Sequence, residues 1–161
     1  MNLLDAIASY RDYRSEQGID FEYPDGLAVD GGIYWYLPDP EPLIGSNGVI
    51  IRKEDGAVFV VGSQLSRELA CWAFERGILD GEHDLIITSC SADIEAAIDI
   101  LTKTPPSQRG KKLPEREGWH NRLSKLPVVV LSNASLYFYI VELFEAERKG
   151  IFTFETTPSI E

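Results

Sequence analysis

The sequence predicts an α+β fold, and three observations carry that prediction. Apolar residues recur at helical spacing in several stretches, with short β-branched runs between them. Asp55-Gly56 joins two such runs, 49–51 and 57–61, and an Asp-Gly pair so placed is the strongest short-range hairpin signal, expected here as a type I′ turn. After the hairpin, helix and strand patterns alternate between Gly and Pro stops. The expected architecture is a mixed, mainly antiparallel sheet around a central β-hairpin (49–61), packed by about four helices, with the late strands extending the same sheet. An α/β arrangement is the alternative, because the β-α-β segments permit parallel pairing. With 161 residues, no internal repeat and no linker, 1–161 reads as a single domain able to bury about two-thirds of its unfolded surface.

The elements follow in order. Residues 2–17 read as a helix, with Asn2 as cap, Asp5 in the first turn and Gly18 as stop. Leu3, Ala6, Ile7 and Tyr10 form its apolar row beside Tyr13, opposite Asp5, Ser9, Asp12 and Glu16. A turn-rich stretch, 19–32, holds a short strand at 27–29. Residues 33–37 form an aromatic strand, which Pro40 and Pro42 keep from continuing as a regular ladder. The nearly continuous apolar runs of the hairpin mark its strands as central rather than edge strands. Ser63 caps a helix over 64–76, a strand covers 84–89, and Ser91 caps a helix that lines up Ile94, Ala97, Ile98 and Leu101. Residues 104–126 break the pattern as a long basic loop, with six basic side chains against two acidic and a short helix near 114–124. A strand at 127–131, a helix capped by Asn133 and running to 149, and a strand at 151–155 complete the chain.

Charge and composition bound the function. The net charge of −11 argues against a nucleic acid partner, since neutralising phosphates needs Lys and Arg. Two cysteines do not make a secreted disulfide scaffold, no basic leader opens the chain, and no apolar run approaches the ~20 residues that span a bilayer, so a cytoplasmic protein with no membrane partner is expected. Cysteine and histidine lack zinc-ligand spacing, and no glycine cluster precedes a helix as a phosphate cradle would, so no metal and no cofactor are expected. Cys90, between a strand and a helix start, is the alternative catalytic residue of a hydrolase or transferase, because a helix N-terminus lowers a thiol's pKa. A small buried residue that fills the strand–helix junction is the preferred reading of it, because no surrounding motif names a nucleophile or its partners. His83 reads as an exposed turn residue and His120 as a solvated loop residue.

The stretch 33–63 carries one resemblance. Trp35 in a strand, Gly45-x-Asn47-Gly48, the strand from Val49 leading into Lys53 of a Lys-Glu-Asp55-Gly56 turn, and the strand 58–63 ending in Gly-Ser are similar to the YrhB-like family of bacterial immunity proteins, over about a fifth of the chain. The resemblance implies a non-enzymatic binding module that neutralises a toxin by occlusion. The acidic balance agrees with a basic protein partner, steered onto carboxylates that stand in for the toxin's anionic substrate. The expected partner-binding residues are Asp39 and Glu41 in the proline-rich loop, Tyr34 and Tyr36 beside it, and Trp119 on the long loop. A third reading is an oligomeric structural or regulatory protein that uses the basic loop against an acidic partner, or against its own acidic face within a homodimer.

Overall fold

A computed structural model of the chain describes residues 1–43, 45–79, 81–102 and 116–158, with the side chains of 41–43 outside that description. The fold is α+β: among the described residues, five helices accompany two antiparallel sheets. Its contacts gather into two compact units, residues 1–74 and 75–161.

The first unit opens with a capping box. Asn2 accepts the Asp5 N–H at 2.9 Å while the Asp5 carboxylate accepts the Asn2 N–H at 3.4 Å, so two helix-end donors are satisfied reciprocally. Helix α1 (Leu3–Glu16) follows and ends at Gly18, whose φ of 76° is the left-handed stop the sequence predicts. Four strands form one antiparallel sheet in chain order: β1 (Val29–Asp30), β2 (Tyr34–Leu43), β3 (Ser46–Arg52) and β4 (Val58–Gly62). Alternation along the strands divides the side chains between two faces. Leu37, Val49 and Ile51 share a core with Ala6 and Tyr10 of α1. Tyr34 points the other way, edge-on to Phe74 of α2 (Arg67–Glu75) with ring centroids 4.9 Å apart, and Phe59 meets the same ring at 5.2 Å. The sheet is therefore covered on both faces, which explains why β3 reads as a continuous apolar run.

Several local expectations change. Only Gly56 of the hairpin loop has positive φ, whereas a type I′ turn needs two such residues, so the strands are joined by the longer loop 53–57 with Gly56 N–H donating to the Arg52 carbonyl at 2.9 Å. Strand β4 is an edge, not a central strand, and Val60 on it is exposed. The ladder between β2 and β3 breaks between Pro38 and Leu43, as the prolines require. Helix α2 is capped by Ser66, whose Oγ accepts the Leu69 N–H at 3.3 Å, rather than by Ser63.

In the second unit β5 (His83–Cys90) runs between β6 (Val128–Ala134) and β7 (Phe152–Pro158). The late strands thus build a sheet of their own instead of extending the hairpin's. Every described pair is antiparallel, so the α/β alternative finds no parallel pair among the described residues. Helix α3 (Ile94–Leu101) is capped by Asp93, not Ser91. Helix α4 (Arg116–Leu123) matches the short helix expected near 114–124, while 104–115 lies outside the described residues. Asn133 sits at φ 50° near the end of β6 and donates its N–H to Asp84, so it does not cap the last helix. A 3-10 turn (Leu136–Tyr139) leads instead into α5 (Ile140–Arg148). His83, expected exposed, is buried as the first residue of β5.

Candidate functional site

Period-two alternation along β2 places Asp39 on the face of Trp35 and Leu37, toward α1. Its side chain is 2% exposed. The Tyr10 hydroxyl donates to Asp39 Oδ1, and Ser46 Oγ donates to Oδ2 at 2.8 Å. Arg14, one helical turn beyond Tyr10, brings its Nη1 to 3.6 Å from Oδ1, too far for a good hydrogen bond. The Arg14 guanidinium is buried near two rings, with Cζ 5.6 Å from the centroid of Phe21 and 6.0 Å from that of Tyr10, and its Nε has no hydrogen-bond partner. Burial raises the Tyr10 pKa further above its ordinary value than any other cause, and the hydrogen bond to Asp39 adds to it. Tyr23, whose ring meets Tyr10 edge-on at 5.9 Å, is raised in the same direction by burial, then by Tyr36 and Asp39.

Above this network lies a cleft of about 420 Å³, lined by Arg14, Asp39 and Pro40 together with Ile19, Asp20, Phe21, Glu22 and Pro24. A second cleft of about 230 Å³, on Ala8, Arg11, Asp12, Ser15 and Asp20, shares Asp20 with it. Asp12, Glu16, Asp20, Glu22 and Asp25 are all exposed here, and none pairs with a described Lys or Arg. The result is a row of exposed carboxylates, Asp12 and Asp20 on one cleft beside Arg11 and Asp20 and Glu22 on the other, next to apolar walls and a buried cation–anion floor; this row with Glu16 and Asp25 is termed the arc.

This surface is not the one the sequence predicts. Asp39 is consumed by Tyr10, Ser46 and Arg14, so it is a structural hub and not a docking carboxylate; Asp39→Lys would break the fold rather than probe a surface. Tyr34 and Tyr36 are each 4% exposed, because the alternation that sends Asp39 toward α1 sends them into the core on the opposite face. Trp119 is fully buried, since an otherwise polar α4 can anchor itself only through Trp119 and Leu123. No partner reaches these aromatics in this structure. The Glu41 backbone belongs to β2, and its side chain lies outside the described residues. Of the expected residues whose side chains are described, only Asp39 borders the cleft.

Arg14 escaped the sequence reading, although a signal existed. It continues the Ala6–Tyr10 row by one more turn, and an arginine on the apolar row of a helix asks for a buried partner. Cys90 ends β5 three residues before the Asp93 cap, and it lacks the activation expected of a nucleophile. Burial first, and Asp93 second, push its thiol up, against a smaller opposing effect of the Ser91 N–H. His120, on α4, places Nε2 2.7 Å from Glu95 Oε1, and Arg116 bridges Glu95 and Asp99, so that histidine belongs to an exposed helix-to-helix clamp. No group of three metal-ligating side chains exists among the described residues, and no described helix is long and apolar enough to cross a membrane. No family model, curated protein or solved structure matches the chain.

Proposed function

We propose that this chain is a small acidic cytoplasmic binding module, an immunity protein that neutralises a basic toxin by occlusion rather than by catalysis. The observation that carries the reading is the set of exposed carboxylates Asp12, Glu16, Asp20, Glu22 and Asp25, none in an ion pair with a described residue, with Arg11 the one exposed basic side chain lining the clefts among them. Like charges held together on a rigid helix end and its following loop repel one another, and a cationic partner relieves that repulsion while being steered onto the face. Residues 1–74 hold twelve acidic against five basic side chains, so the bias is concentrated in the unit that carries the arc. The resemblance of 33–63 to the YrhB-like immunity proteins supports the same reading, because that stretch supplies the sheet on which α1 rests. The direction of the Cys90 shift speaks against the thiol-enzyme alternative.

The experiment is retention from a lysate of the source organism on the immobilised chain, at low and at high salt, with mass spectrometry of what is held. One basic protein retained at low salt and released at high salt is the expected result. No specific partner under either condition would overturn the reading.

A further inference from the structure

We infer that the cleft over Arg14 seats one Lys or Arg side chain of the partner together with an adjacent main-chain carbonyl, a refinement that rests on the proposed function. The argument begins with a deficit. A guanidinium offers five N–H donors, yet the Arg14 residue is 6% exposed, its Nε is buried without a hydrogen-bond partner, and its Nη1 comes no nearer than 3.6 Å to Asp39. Its nearest acceptor, Asp39, stands 3.6 Å away with one oxygen taken by Tyr10 and the other by Ser46. A guanidinium at the cleft wall with its Nε unpartnered and its Nη1 only loosely held by Asp39 has donor capacity left for an acceptor that enters the cleft.

Charge decides which acceptor fits. A ligand carboxylate or phosphate would enter beside Asp20, Glu22 and Asp39, three carboxylates against one guanidinium that Asp39 already offsets. A peptide carbonyl accepts from Arg14 without adding to that negative charge. The remaining walls then select the neighbouring side chain. Ile19, Phe21, Pro24 and Pro40 give an apolar channel suited to the methylene stem of a Lys or Arg, and Asp20 and Glu22 meet its charged head. An extended basic segment satisfies the buried donor, the apolar walls and the acidic rim together.

The test titrates the isotopically labelled full chain with a blocked tripeptide, acetyl-Gly-Lys-Gly-amide, and follows its amide and arginine Nε–H resonances. Shifts confined to Arg14, 19–24 and residues 39–40 of β2 are expected, with the Arg14 Nε–H moving downfield as its guanidinium gains an acceptor. Replacing the probe's lysine by norleucine, or the protein's exposed pair by Asp20→Asn with Glu22→Gln, is expected to weaken binding about tenfold or more. Equal affinity for the norleucine probe, an unmoved Arg14 Nε–H, shifts elsewhere, or no shifts at millimolar probe would each overturn the assignment. A basic protein still retained from lysate by the Asp20→Asn/Glu22→Gln chain would then leave the immunity reading standing and place its surface outside this cleft.

Discussion

At the scale of single residues, the Tyr10–Asp39 contact organises the site. Tyr10→Phe removes a donor from a buried carboxylate and is expected to cost about 1–3 kcal/mol in urea denaturation. Tyr10 also sets an alkaline limit. Its pKa is raised in the folded state, so its contribution is intact below the unfolded tyrosine value of about 10 and is lost as pH rises beyond it. Stability should therefore fall above about pH 10, with Tyr10 ionising only as the chain unfolds, and Tyr10→Phe should make the fall less steep. Asp55 behaves in the opposite sense. Its hydrogen bonds from the Arg52 guanidinium, at 2.9 and 2.8 Å, and then the Ala57 N–H hold its carboxyl down at about 2. A carboxyl titration by NMR should find that midpoint, and one near the ordinary aspartate value would mean that the hairpin loop is not held as described. Asp55's place in the hairpin loop was legible from its Asp-Gly pair, whereas the Tyr10–Asp39 contact was not, because which carboxylate is buried depends on strand alternation and ladder breaks.

At the scale of elements, the ladder break between β2 and β3 positions the site, and Gly48 permits it. A Cβ there would lie 2.3 Å from the Leu37 carbonyl oxygen and 2.6 Å from Pro38 Cα, at a φ of 126° that favours glycine. Gly48→Ala should destabilise the chain by about 3 kcal/mol in the same denaturation assay and loosen Asp39 along with it. In the second unit, Trp119→Ala should cost about 3–5 kcal/mol, because α4 buries little besides Trp119 and Leu123. Arg116→Ala, which removes only exposed ion pairs, should leave the melting temperature nearly unchanged. The elements themselves were largely legible. The Asn2 box, the Gly18 stop, the Pro-broken ladder and the short helix near 116 each follow from local chemistry that the fold retains. What the sequence hid was longer in range. Nothing local says that β5, β6 and β7 pair with one another instead of with the hairpin, or that Trp119 turns inward from a basic stretch.

At the scale of the whole molecule, the excess of 26 acidic over 15 basic side chains was plain, but its most useful part was not. The proline-rich stretch reads in the sequence as the exposed acidic loop, whereas the fold makes it part of β2 and buries its Asp39, leaving the less conspicuous carboxylates between Asp12 and Asp25 in solvent. The central claim is that this arc recognises a basic protein, so its most direct test is retention from lysate by the native chain beside a neutralised one, Asp12→Asn, Glu16→Gln, Asp20→Asn and Glu22→Gln. These side chains are exposed, so the variant should keep the native melting temperature. The account predicts one basic protein held by the native chain at low salt, released at high salt, and lost from the variant. Equal retention by both chains, or retention indifferent to salt, would contradict it.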